Sequence, residues 1–149
     1  MMARIVLEAE RLAPDPTQRR RGDRPRLSIA ETVCESVAHA AADLEMRAIV
    51  VFTETGNTAR MISKYRPQSR IYAFSHLAAV CNRMNLLWGV LPVRRETELS
   101  ADEMLATAEQ ELLRSGKLKV GDVLGVVAGT QMATGSTNFI RLHVVDGKG

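Results

Sequence analysis

The chain has 149 residues, 46% apolar and 25% charged, with a formal net charge of +3. These values describe one ordinary globular domain, able to bury about 70% of its unfolded surface without a disulfide or metal staple. No apolar run approaches the roughly 18 residues of a membrane helix. The charged start MMARIVLEAERL has no secretory apolar core, so a cytoplasmic location with no membrane partner is expected.

Residues 2–12 read as a helix, with Ile5, Leu7, Ala9 and Leu12 among charges. Residues 13–27 read as an Arg/Pro-rich linker, because Pro14, Pro16, Gly22 and Pro25 break any regular element. The linker includes QRRRGDRPR, which carries five arginines, but no aromatic side chain interleaves to stack on bases. A solvated segment is expected there, and no nucleic-acid partner.

Ser28 and Glu31 have the spacing of a capping box. Val33, Val37, Ala40, Ala41 and Leu44 then recur at helical intervals. Residues 48–53 (AIVVFT) form a continuous apolar run, the pattern of a strand covered on both faces. After Thr53-Glu54-Thr55-Gly56-Asn57-Thr58, a helix places Thr58, Met61, Ile62 and Tyr65 on one stripe and ends before Pro67. Residues 71–75 are the next strand, 76–86 a short helix, and 88–92 (WGVLP) a third strand. Ser100 and Glu103 again fit a capping box, opening a helix over 101–114 that Ser115-Gly116 ends. Residues 123–128 (VLGVVA) are a fourth strand. A Gly/Thr-rich loop over 129–138 leads into 139–145, FIRLHVV.

This alternation predicts βα units and a parallel sheet covered on both sides. The last connection holds no helix, so the final strand should run antiparallel at a sheet edge. Its Ile140, Leu142 and Val144 should face one way, and Phe139, Arg141, His143 and Val145 the other.

His39, His76 and His143 are scattered, and neither HxxxH nor CxxC occurs. No nucleophile–base pair is recognisable, and both GxxxxGK[ST] and GxGxxG are missing. No catalytic or metal-binding residue is assigned. Cys34 and Cys81 lie in apolar helical patterns and read as buried free thiols. Two loops remain at expected carboxyl ends of strands, where open α/β sheets bind ligands. One offers Thr53, Thr55, Gly56, Asn57 and Thr58; the other offers Thr134, Gly135, Ser136 and Thr137. They suit a small anion, and equally a pair of turns with capped helices.

The run AIVVFTETGNTARMISKYRP, then IYAF, RMNLLWGVLP, KVGDVL and the ending GSTNFIRLHVV, strongly resembles the C-terminal domain of pyruvate kinase. The resemblance covers about residues 28–145 in unbroken order. MARIVLEAE looks like the last barrel helix of that enzyme, which implies a barrel-helix remnant over 1–12, a linker over 13–27 and the domain itself over 28–149. The implied fold is a three-layer α/β/α sandwich with a five-stranded mixed sheet, its last strand antiparallel.

The full enzyme transfers phosphate from phosphoenolpyruvate to ADP in a (β/α)8 barrel that uses Mg2+ and K+. A barrel needs about 250 residues, so no kinase activity and no cofactor are expected of this chain alone. The resemblance implies a regulatory and oligomerisation domain, with a barrel domain as partner in a longer chain. Regulated members bind a sugar phosphate such as fructose 1,6-bisphosphate, one phosphate lying in the loop matching residues 53–58 and the sugar near the loop matching 134–138. Glu54 puts a carboxylate in that cradle, and Ser100-Ala101-Asp102-Glu103 is acidic where regulated members offer a basic side chain. Both departures favour a monophosphate, or no effector, over a bisphosphate. A homo-oligomer through the edge strand 139–145 is expected. The alternatives are a free-standing assembly domain and a small-molecule sensor that has reused the fold.

Overall fold

The computed structural model describes residues 26–96, 100–129 and 137–147. In chain order these form α1 (Ile29–Asp43), β1 (Ala48–Phe52), α2 (Asn57–Lys64), β2 (Arg70–Ser75) and α3 (Ala78–Met84). There follow β3 (Val90–Arg94), α4 (Ala101–Arg114), β4 (Val123–Gly129) and β5 (Thr137–Val144). The strands make one sheet in the order β3-β2-β1-β4-β5. All neighbours are parallel except β4 and β5, which are antiparallel. The expected helix over 2–12, most of the linker, and Thr134, Gly135 and Ser136 lie outside the described residues.

Strand β1 is apolar throughout because each face of the sheet is covered and successive side chains alternate between them. Ile49 and Val51 join a core with Cys34, Val37 and Ala41 of α1, Ala59 and Ile62 of α2, and Val80 and Met84 of α3. Ala48 and Val50 join a second core with Tyr72, Phe74 and Leu105, Ala108 and Leu112 of α4. Three helices thus cover one face and α4 covers the other, giving the expected three-layer sandwich.

α1 meets the sheet through the expected face, with Val37 and Ala41 buried and Val33 and Ala40 packed against the core. Ala30, Cys34 and Ala38 are buried beside them, whereas Leu44 caps the helix and is 45% exposed. The small residues on this face answer to β4. A Cβ on Gly125 would sit 3.1 Å from both Met46 Sδ and Val37 Cγ2, so the helix comes close at that point and presents small side chains.

Two boundaries differ from expectation. α3 is confined to Ala78–Met84, with the Ser75 hydroxyl accepting the Leu77 N–H ahead of it (3.3 Å). Trp88 and Gly89 are a turn and not the start of β3: Gly89 has φ 69°, and the Trp88 carbonyl accepts the Ser63 hydroxyl at 2.7 Å. α2 ends at Lys64, ahead of Pro67 as expected, and Arg66 takes a left-handed φ of 47°.

Both predicted capping boxes are formed. The Ser28 and Ser100 hydroxyls accept the N–H of Glu31 and Glu103, whose carboxylates accept the serine N–H in return, each at 2.8 Å. The bonds from Ser28 and Ser100 hold both glutamates below the ordinary value of 4.5. A depressed folded pKa stabilises above the unfolded value, and the contribution is lost as pH falls through the folded one. Acidification below about pH 4 should therefore fray the first turns of α1 and α4 before the cores melt. Amide exchange at Glu31 and Glu103 checks this; protection unchanged at pH 3 would contradict it.

Candidate functional site

The chain runs β1, β2, β3 in one direction across the sheet and then returns to place β4 on the other side of β1. Strand order therefore reverses between β1 and β4, and the crevice beyond their carboxyl ends is where open α/β sheets take ligands. The loops after these two strands are the two singled out from sequence.

Thr53 extends the ladder by one bond, its N–H donating to Phe74 O at 3.1 Å. The chain then folds back on its own hydroxyls. Thr53 Oγ1 accepts the Gly56 N–H at 2.9 Å and Thr55 Oγ1 accepts the Asn57 N–H at 3.3 Å. Gly56, at φ 79°, is the residue before α2, and its carbonyl accepts the Arg60 N–H at 3.0 Å, the first bond of the helix. The hydroxyls thus serve the turn. Each has accepted a bond and retains its own O–H as a donor. Asn57 Oδ1 accepts Arg60 Nη2 at 2.9 Å, bringing a guanidinium alongside the loop. Glu54 is half-buried and Thr55 exposed.

Thr58 behaves differently from the others. It is buried, and its hydroxyl lies 2.7 Å from that of Thr137, also buried, at the first residue of β5. This bond joins residues 79 positions apart and ties the loop after β1 to the point where the chain re-enters the sheet. The Cys34 thiol approaches Thr58 O from below at 3.9 Å, and burial pushes its pKa up to about 12. Native Cys34 should consequently resist iodoacetamide at pH 8 and react only on unfolding. A native labelling rate close to that of the unfolded chain would contradict this packing.

The acidic start of α4 is occupied locally. Asp102 pairs with Arg141 of β5 at 2.9 Å, and Glu103 is used by its cap. At the far end of β5, His143 Nε2 lies 2.7 Å from Glu109 Oε2, and Glu109 Oε1 accepts the Gly147 N–H at 3.2 Å. These contacts pin the last strand to α4. The sequence offered no signal for the Thr58–Thr137 or Glu109–His143 contacts, because each joins elements whose relative placement depends on the sheet order.

The family model "Pyruvate kinase, alpha/beta domain" matches residues 31–143. The chain belongs to this family. It is 42% identical over 119 residues to pyruvate kinase of Bacillus licheniformis, which covers 80% of this chain and 20% of that protein. It is 40% identical over 118 residues to the Lactococcus lactis enzyme (79% and 24%). With the enzyme of Staphylococcus aureus strain USA300 it shares 36% identity over 148 residues (97% and 25%). The chain thus spans about a fifth to a quarter of the length of these pyruvate kinases. Among the described residues, no helix is long and apolar enough to cross a membrane.

Proposed function

We propose that this pyruvate kinase alpha/beta domain serves as the regulatory and assembly part of a pyruvate kinase, binding a small phosphorylated effector and carrying no phosphoryl-transfer site. In a longer chain it would adjoin a catalytic barrel, where any Mg2+ and K+ would be held. The observation that carries the reading is the loop at residues 53–58. It lies at the switch point of the sheet, offers hydroxyl donors from Thr53 and Thr55, whose oxygens hold the Gly56 and Asn57 N–H groups, and has Arg60 beside it. Thr58 and Thr137 are then the bond that positions the loop and not ligands. Thr134, Gly135 and Ser136, expected from the sequence to contribute to the site, lie outside the described residues.

Titration with inorganic phosphate and sugar phosphates, read by amide shifts, tests this. Gly56 and Asn57 should move, and unshifted signals at millimolar ligand would reject the site. Glu54→Ser should tighten binding by removing a like charge from the cradle.

Assembly through β5 is a second element of the proposal. The two sheet edges are β3 and β5. Pro92 deprives β3 of one N–H, which blunts that edge. β5 has no proline, and its Leu142 and Val144 are 49% and 58% exposed. A symmetric pairing of β5 with a second copy would cover them. Sedimentation at high concentration checks it; a strict monomer would count against assembly by the domain alone.

A further inference from the structure

Glu109 is a carboxylate on the buried face of α4, 2% exposed, beside Ala108 and Leu112 of the second core. Burying a carboxylate is costly unless it is paired, and its partners come from the end of the last strand. His143, whose register partner is the core residue Leu124, brings Nε2 to 2.7 Å from Glu109 Oε2, and the Gly147 N–H donates to Oε1 at 3.2 Å. The chain between them is fixed by buried Val145, whose N–H donates to Asp122 O and whose carbonyl accepts the Gly121 N–H, each at 2.8 Å. That course sets Asp146 beside the pair. One ligand atom from each of Glu109, His143 and Asp146 lies within 4.8 Å of the other two.

The approach of Asp146 changes the charge balance of the Glu109–His143 contact. Two carboxylates bring two negative charges to one place, and an imidazole carries at most one positive charge. Like charges held this close repel, and a divalent cation among them offsets the repulsion. One imidazole nitrogen with two carboxylate oxygens suits Zn2+ and its first-row neighbours, whereas Ca2+ and Mg2+ take oxygen ligands. The Gly147 N–H orients the Glu109 carboxylate, the outer support that metal-ligating carboxylates receive. Zinc bonds of about 2.0–2.2 Å put neighbouring ligand atoms about 3.0–3.5 Å apart, so the His143 ring and Glu109 need part by only about half an ångström. Asp146, an exposed side chain, closes the remaining distance by rotating. The His143 side chain is 21% exposed, which leaves a side open for entry and for water in the fourth position.

We infer that Glu109, His143 and Asp146 bind a divalent transition-metal ion, with Zn2+ the best match, which clamps the end of β5 to α4. Two of the ligands stand three residues apart where the chain leaves the sheet, and the third comes from the middle of the covering helix. The site lies at the opposite end of β5 from Thr137 and its bond to Thr58. It is therefore separate from the loop at residues 53–58 and does not rest on the effector reading.

The test is calorimetric titration of the untagged, chelator-stripped full chain with Zn2+, with the visible absorption of bound Co2+ recorded alongside. Asp146→Asn, His143→Gln and Glu109→Gln are compared with wild type; each keeps the shape and hydrogen-bonding capacity of the side chain while weakening it as a ligand. The wild-type chain should bind one Zn2+ and give the intense visible bands of four-coordinate Co2+. Asp146→Asn should weaken Zn2+ binding by about tenfold or more, and His143→Gln and Glu109→Gln by about a hundredfold or more. Zn2+ should raise the thermal midpoint of the wild-type chain and leave that of His143→Gln unchanged. Asp146 is exposed, so its variant reports on the ligand and not on folding; an unchanged amide spectrum checks this. No Zn2+ binding at tens of micromolar metal would leave a plain Glu109–His143 ion pair and overturn the site. Binding that survives both Asp146→Asn and His143→Gln would put the metal elsewhere and overturn it equally. Displacement of Zn2+ by equimolar Ca2+ would mean an oxygen-only ligand set without His143, which also overturns it.

Discussion

Ile49→Ala is expected to cost about 4 kcal/mol of folding stability, a large part of what a domain of this size possesses. Ile49 is fully buried in the central strand, with Ile71 of β2 and Gly125 of β4 as its register partners. Its side chain belongs to the core beneath α1, α2 and α3. Truncation would leave a hole flanked by Ile71, which is itself fully buried, and by Gly125, whose open side is already filled by Met46 and Val37. Little can move into such a space, which places the cost toward the upper part of the large-to-small range. Urea unfolding with an unchanged m-value checks it. A loss under about 1 kcal/mol would mean that the site collapses freely and that the core is not packed as described.

Gly56→Val should cost about 3 kcal/mol and also displace the loop, combining a left-handed backbone with overpacking. At φ 79°, a β-branched residue is strained whatever space surrounds it. The space is also taken: a Cβ would stand 3.1 Å from Met84 Cγ and 3.4 Å from Val80 Cγ1. Met84 is flexible, but it is 1% exposed and has little room to yield. Gly56→Asn separates the two causes, because asparagine tolerates the left-handed region while meeting the same neighbours. The expected order of thermal midpoints is wild type, then Asn, then Val. Equal losses for Asn and Val would assign the whole effect to contact and none to the backbone. The valine variant should also shift the amides at Thr53 and Thr55, whose hydroxyls are bonded to Gly56 and Asn57.

These two positions show why Gly56 and its threonines read ambiguously from sequence. A turn that satisfies its own N–H groups and a cradle for an anion draw on the same residue types. In this chain Thr53 and Thr55 close the turn, and each keeps its own O–H as a donor for the proposed cradle. Thr58, grouped with them by sequence, is set apart by its bond to Thr137.

The local code was legible. Ser28 with Glu31 and Ser100 with Glu103 opened helices at the positions read from the chain, because a capping box is complete within four residues. The apolar run of β1 announced a strand covered on both faces, and the missing helix before β5 announced an antiparallel edge. What depended on packing was not legible. The close approach of α1 to the sheet was allowed by Gly125, lying 80 or more residues beyond that helix. Trp88 looked like a strand residue and became a turn, since Gly89 takes a positive φ and Arg66 packs over the indole.

The sequence by itself determined the order of elements, the layer architecture and the family, because periodicity, caps and motif order are all carried by residues near one another in the chain. Tertiary structure alone decided that Thr58 meets Thr137, that Asp102 is spent on Arg141, and that Arg95 stands over Phe74 with a buried unpaired donor. Each depends on which strands become neighbours, and placing β4 beside β1 brings together residues whose separation along the chain hides any local signal.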